Sequence, residues 1–464
     1  VGVAVENDDK QADGWAAFYT RSGRFLGSAP AGALPDAITF TPDGRYALLA
    51  NEGEPSDDYQ VDPEGSVTVI DLLRGVKRAR VRQADFRAFN DQPLPDGLRA
   101  PRPFGATIAQ DLEPEFIGVS PDSRTAYVSL QENNGVAVVD IRRATITGLL
   151  GLGAKDHSRP GNALDASNRD DAINIQNWPV NGLYMPDTIN AFRTRGETYL
   201  ITANEGDGRE YLYEIEEGAT QADVEDCEAL INAAGGFNAG EADFDDQDTP
   251  DPADDALECI VYLDEIRIKD MTLDGTAFPD AATLQEDENL GRLKAVGTEG
   301  DENEDGEWET LFNYGARSFT IWNTRGEVVY DSGDIMEYVT AMASPANFNS
   351  TNDENDSFDD RSDDKGPEPE SAIVGKAFGR QWAFVGLERV GGIMVFDVTR
   401  PADTRYVTYI NNRDFGADDI LEAGDLGPEG LYFIRASESP IREPLLVVGN
   451  EVSGTTTIYR VFRD

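Results

Sequence analysis

Five stretches of this chain repeat one plan: a Pro-acid pair, a strand-like run, a tight turn, and a second run that ends on Glu. They begin at Pro35, Pro114, Pro186, Pro369 and Pro428. The fullest copy lies within Pro367 to Thr399. It runs PESAIVGKAF, turns at Gly379-Arg380, continues as QWAFVGLE, and turns at Gly391-Gly392 into IMVFDV. Alternating apolar residues between glycine turns argue for antiparallel strands. Small sheets that recur along a chain are the signature of a β-propeller, in which each sheet is a blade around a central channel.

The repeat predicts an all-β, single-domain propeller over 1–464, with seven blades favoured over six. Strands around the turn Ser22-Gly23 and the final TTTIYRVF are expected to pair and close the ring, because closure removes exposed sheet edges. The interval from Pro186 to Pro369 is far longer than a blade of roughly 40–50 residues. A degenerate blade is therefore expected there, built from IVYLDEIRIKDMTL and the two strands around Thr324-Arg325-Gly326. Two polar or acidic insertions interrupt the pattern, at 216–258 and 336–366. The first opens on a helical run, TQADVEDCEALINAAGG.

Charge narrows the partners. With 39 basic and 88 acidic side chains the net charge is −49. Such a surface repels nucleic acid and anionic lipid, which excludes both. It suits a high-salt medium, where self-repulsion is screened, or cation binding, and these are compatible. No apolar run reaches the ~18 residues of a membrane span. A start at Val1 rather than Met fits a processed, exported chain, hence an extracellular or cell-surface location. In that setting Cys227 and Cys259, the only two cysteines, are expected to form one disulfide around the acidic insertion. His157 is the only histidine, so a Ser-His-Asp mechanism has little support.

Three features could carry chemistry. In Asp301-Glu-Asn-Glu-Asp-Gly-Glu-Trp-Glu309, Asp301, Asn303 and Asp305 alternate and Gly306 stands sixth, which matches the first half of an EF-hand loop. Phe312 occupies the twelfth position, so it is not an EF-hand. Glu307, through its carbonyl, and Glu309 would complete a calcium site of another kind; the plainer alternative is a solvated acidic turn. Second, the repeats carry leading acids (Asp36, Glu115, Asp187, Glu370, Glu429) and trailing acids (Glu52, Glu132, Glu205, Glu388, Glu451). A ring of Glu52, Glu205, Glu388 and Glu451, with Glu429 nearby, would repel itself unless cations or protons neutralise it. The alternative is that each acid caps backbone N–H groups in its own turn. Third, Arg317 in Gly315-Ala-Arg-Ser-Phe319 could hold a phosphate or carboxylate bidentately, or pair with a neighbouring acid. Asp363 to Glu368 would supply further ligands or simply form a loop.

The segments ITANEGDGREY (201–211), Gly300 through GARSFTIWN, SDDKGPEPES (362–371), VGLERVGGIMVFDV (385–398) and GPEGLYF…PLLVVGNEVSGTTTIYRV resemble the choice-of-anchor I family, from about Pro35 to Phe462. That family is similar to mesenchyme-specific cell-surface glycoproteins and to some atypical bacterial alkaline phosphatases. The resemblance implies an exported, often surface-anchored seven-bladed propeller, with the 301–309 loop as its calcium-type loop; no anchor segment is seen after Phe462. Two functions follow as expectations. One is a calcium-dependent phosphoester hydrolase, in which Glu205 and Glu388 hold metal at the axis and Arg317 clamps a phosphorylated small molecule. The other is a non-enzymatic matrix, adhesion, filament or coat protein that meets other surface components. A lactonase-like esterase using a channel calcium ranks third.

Overall fold

A computed structural model describes residues 1–215, 218–234, 242–245 and 256–463. Thirty strands and four α-helices occur among the described residues, so the class is all-β. Six small antiparallel sheets follow one another along the chain. The first is Gly2–Val5, Asp13–Tyr19 and Phe25–Ala33. The second is Pro35–Phe40, Tyr46–Asn51, Ser66–Asp71 and Arg80–Asp85. Ile117–Val119, Thr125–Leu130, Gly135–Asp140 and Thr145–Gly151 form the third. The fourth joins Ile189–Thr194 and Glu197–Asn204 to Ser318–Asn323 and Val328–Asp331. Pro369–Ala377, Arg380–Leu387, Ile393–Asp397 and Arg405–Ile410 make the fifth, and Pro428–Ile434, Leu445–Asn450 and Thr455–Arg460 the sixth.

The turns show why these strands start where they do. Asp43 accepts from the Thr41 hydroxyl at 2.6 Å and from Arg45 N at 3.0 Å, while Gly44 takes φ 68°. Asp122 repeats the arrangement with Ser120 at 2.8 Å and Arg124 N at 3.1 Å. A short acid that bonds the backbone two residues on is a built-in turn.

Each sheet buries a face against each of its neighbours in the series. Ala16, Phe18 and Ala29 of the first meet Ala47, Leu49 and Ile70 of the second. Leu48 and Val69 meet Ile117 and Val128; Tyr127 and Val136 meet Leu200 and Trp322. Ile201 and Phe319 meet Val385 and Met394, and Phe384 and Ile393 meet Phe433 and Leu446. Five apolar layers therefore link six sheets in series.

Several expectations are corrected. The two chain ends do not share a sheet: the Val1 amino group bonds Tyr19 O, and Thr455–Arg460 pairs with Leu445–Asn450. The outward faces of the terminal sheets stay open, with Trp15 and Val3 on one and Tyr432 and Ile458 on the other all exposed. The run Glu210–Ile215, which in sequence continues the repeat begun at Pro186 as a third strand, pairs instead with Ala256–Leu263 in a side sheet. Nor does Ser318–Asn323 start a degenerate blade. It completes the fourth sheet, pairing Leu200 with Trp322 and Asn204 with Ser318. The long interval is thus an insertion within a sheet. It contains that side sheet, the expected helix, Gln221–Ala234, and three strands, Phe312–Asn313, Lys294–Val296 and Glu265–Arg267, of a five-stranded mixed sheet whose other two, Ala154–Asp156 and Asn181–Leu183, precede it. The rest of the acidic tract, 235–241 and 246–255, lies outside the described residues. Segment 336–366 is polar in sequence yet has much of its length packed inside: Ser350, Asn352, Asp359, Ser362 and Asp364 are all buried.

Candidate metal centres

The site is built by a device at strand ends. Asn51 closes the second strand of its sheet and donates to Ser66 and Thr68 on the next strand at 3.1 and 3.0 Å. Asn204 does the same to Ser318 at 3.1 Å and Thr320 at 2.8 Å, and Asn450 to Thr455 at 3.0 Å. In each case the next residue is the trailing Glu, so the clamp fixes where that carboxylate leaves the sheet. At Glu205 the backbone is held further. Gly315 packs so tightly on the Glu205 carbonyl that a Cβ there would lie 1.9 Å from it.

The leading residues of five sheets surround one cavity of about 190 Å³, lined among others by Asp36, Phe116, Asp187, Ser371 and Glu429. Around it the acids gather in threes. Asp187, Glu205 and Glu370 bring carboxylate oxygens within 4.8 Å of one another, as do Glu205, Glu368 and Glu388, and also Glu370, Glu429 and Glu451. Of the predicted set, Glu205, Glu388, Glu429 and Glu451 thus belong to linked groups. Glu52 stands apart, beside Glu54, Asp36, Glu132 and Glu113.

The groups differ in how they are neutralised. Lys365 Nζ reaches Glu205 at 2.8 Å, and Arg389 reaches Glu368 at 2.7 Å and Glu388 at 3.2 Å. Arg361 adds a bond to Glu368 at 2.5 Å. The burial cost on Glu368 is outweighed by Lys365 and Arg361, so its carboxyl sits below the ordinary range. Glu388 is pushed up to about 8, by burial first and then by Glu368 and Glu205. By contrast, no ion pair holds Glu370, Glu429 or Glu451 among the described residues. Burial, with Glu205 and Glu388 beside it, drives Glu370 well above the carboxylate range, and its Oε2 is buried without a partner. Burial and then Glu451 raise Glu429.

A second network was not legible as a site. Arg209, buried, bonds Asp111 at 2.5 Å and Glu113 at 2.9 Å. It balances the Glu52 side of the acids, where burial lifts Glu132 to about 7.

In the 301–309 loop, Asp301, Asp305 and Glu309 converge within 4.8 Å. Asp301 accepts from Asp305 N at 3.1 Å and Gly306 N at 2.8 Å, with Gly306 at φ 86°. Asn303 donates to Glu309 at 2.5 Å. The Glu307 side chain is not in the group; its N–H bonds Asp305 at 3.0 Å. The donor set is all oxygen, which suits a hard cation such as calcium.

The role expected of Arg317 is corrected. The side chain is buried, and both terminal nitrogens are taken by the Asp165, Ser362 and Asp364 carbonyls and by Glu337, at 2.5–2.8 Å. An arginine spent on the fold in this way has no fork to offer a phosphate. The Cys227–Cys259 disulfide is present, with Cα atoms 5.8 Å apart.

Serial antiparallel sheets with carboxylates gathered at their strand ends define the class: an acidic all-β scaffold. The chain belongs to the choice-of-anchor I domain family, which matches residues 1–401. It is 32% identical to Gigasin-3a of Magallana gigas over 194 residues, 39% of this chain and 67% of that protein. It is 28% identical to a mesenchyme-specific cell surface glycoprotein of Strongylocentrotus purpuratus over 323 residues, 66% of this chain. The match spans only 37% of the glycoprotein's own length. Among solved structures, a periplasmic gluconolactonase of Pseudomonas aeruginosa aligns over 100% of this chain and 91% of its own, at 13% identity and a TM-score of 0.33. No helix among the described residues is long and apolar enough to cross a membrane.

Proposed function

We propose that this is an extracellular or cell-surface protein, a propeller in which the serial sheets are blades, whose interior acids and 301–309 loop bind calcium. It acts as a cation-stabilised structural module for matrix, adhesion or surface assembly. The observation that carries the reading is the Glu370, Glu429 and Glu451 group, half-buried at Glu370 and exposed at the other two: three carboxylates within 4.8 Å and no cationic side chain on them among the described residues. Like charges so placed need a cation or protons. The cell-surface name of one relative supports the location.

A phosphoester hydrolase has weaker support, because Arg317 is engaged internally. A chromogenic phosphomonoester assayed with calcium, and again with a Glu205→Ala control, separates the two. The structural reading expects no turnover above the control; calcium-dependent turnover lost in Glu205→Ala would sink it. For calcium itself, equilibrium dialysis of the chelated protein is expected to show at least two equivalents bound, one in the interior and one in the loop. Finding none would end the reading.

A further inference from the structure

The 348–362 loop, whose Asn352 donates to Glu388 at 3.1 Å and whose Arg361 pairs with Glu368 at 2.5 Å, folds back on itself. Asp359 N donates to Phe348 O and Arg361 N to Asn349 O, each at 2.8 Å. Inside this closure Asn349, Asp359 and Ser362 are buried, the first and last with no exposed surface. The hydrogen bonds fix which way Asn349 points. Ser362 has a single hydroxyl proton, and it goes to Asp359 Oδ1 at 2.5 Å. Ser362 Oγ therefore accepts from Asn349 Nδ2, at 2.9 Å, and the same nitrogen donates to Glu337 Oε2 at 3.3 Å. The amide nitrogen faces Ser362 and Glu337, so Oδ1 faces the other way.

That oxygen has no partner, and neither does Asp359 Oδ2 on the side chain next to it. A buried acceptor left bare costs about 1–3 kcal/mol, more when charged. Two of them on side chains joined by one serine call for a ligand.

The surrounding charge says which kind. Burial first, then Asp165, Asp170 and Glu337, push the Asp359 carboxyl up to about 8. Asp165 itself, which is buried, lies at about 7. Arg317 ties the two loops together, bonding Asp165 O and Ser362 O as well as Glu337. It is the one cation paired with this group among the described residues; no ion pair reaches Asp165, Asp170 or Asp359. Four carboxylates face one guanidinium. Once Asp359 and Asp165 are ionised, a water molecule would satisfy the two bare oxygens but leave their charge standing.

We propose that this buried cluster is a further cation site, taking a divalent ion of calcium's class with Asn349 Oδ1 and Asp359 Oδ2 as its first ligands and Asp165 supplying charge. Amide and carboxylate oxygens are the hard donors that calcium takes in flexible arrangements of 6–8 ligands. The site is separate from the interior Glu groups and the 301–309 loop, so it stands or falls independently of them.

Crystals of the full chain soaked in manganese or terbium test it directly. The expected result is an anomalous peak within coordination distance, roughly 2.3–2.6 Å, of both Asn349 Oδ1 and Asp359 Oδ2. An ordered water there without anomalous signal overturns the proposal, whatever appears at Glu370 or Asp305. In solution, Asp359→Asn is expected to bind one calcium equivalent fewer than the native chain by equilibrium dialysis. An unchanged number of equivalents in a folded variant also overturns it. The soak uses the native protein and does not depend on the variant folding.

Discussion

Lys365 Nζ lies 2.8 Å from Glu205 Oε1, and both side chains are buried among further acids. The lysine is therefore an internal counter-ion for the interior carboxylates, held in its charged form by Glu205 and Asp207 despite burial. Removing one partner of a buried pair leaves the other uncompensated, at a cost of about 3–5 kcal/mol. Lys365→Met is expected to destabilise the chelated protein by that order. Calcium should recover part of the loss, because an external cation can replace the missing ammonium. Urea unfolding with and without calcium checks both. A variant as stable as the native chain in chelator would show that Lys365 is not needed to hold the acids together.

The interior acids also set a pH dependence. Glu388 is at about 8 and Glu132 at about 7, while burial lifts Glu52, Glu115, Asp187 and Glu370 above the ordinary range. A carboxyl with a folded pKa above its unfolded value binds more protons when folded, so stability falls as pH rises between the two values. His157, held neutral by burial, works in the opposite sense, but it is one group against six. In chelator, Tm is expected to drop steadily from about pH 5 to pH 8. With calcium the slope should flatten, since metal takes the place of protons. A Tm that rises over this window in chelator would contradict the assignment.

Much of this was legible in the sequence because it repeats. The Pro-acid starts and the Asp turns at Asp43 and Asp122 are local chemistry, and local chemistry survives into the fold. The gathering of acids followed from the same repeat, and the converging loop at Asp301 and Asp305 from its own alternate spacing of oxygen ligands before Gly306. What was not legible was long-range pairing. Ser318–Asn323 looks like a new repeat, yet it joins Glu197–Asn204 across an insertion of more than a hundred residues. A signal did exist: Asn204 and Ser318-Phe-Thr320 match Asn51 and Ser66-Val-Thr68, the clamp that sits inside one sheet. The counter-ions Arg209 and Lys365, which are buried, and Arg389, which is half-buried, were hidden for a different reason. Nothing in a chain with this charge distinguishes an arginine spent inside from one on the surface.

The disulfide gives a simpler expectation. Cys227 and Cys259 are both buried, and the bridge joins the Gln221–Ala234 helix to the Ala256–Leu263 strand across 32 residues. Closing a loop of that length lowers unfolded-state entropy by about 3–4 kcal/mol in the chain-entropy picture. Reducing agent under mild denaturant should release two thiols by mass and raise proteolysis within 216–263. Neither cysteine lies in the six main sheets, so their unfolding midpoint is expected to stay in place. A midpoint that moves with reduction would mean that the insertion and the sheets fold as one unit.

Glu429 offers a test in which two effects have opposite signs. Glu451 and Asp36 act on it together with burial, and it shares its group with Glu370 and Glu451. Without calcium, Glu429→Gln removes one like charge and relieves repulsion. Because Glu429 is exposed, solvent screening keeps the gain near ~0.5 kcal/mol. With calcium, the same change deletes a ligand oxygen's charge, so the stabilisation by the ion, RT ln(1 + [L]/Kd), shrinks as Kd rises. The variant should therefore melt slightly above the native chain in chelator and below it in millimolar calcium. Scanning calorimetry in both buffers is enough. If Glu429→Gln shifts the transition in the same direction in both, the carboxylates at Glu370, Glu429 and Glu451 are not holding an ion between them.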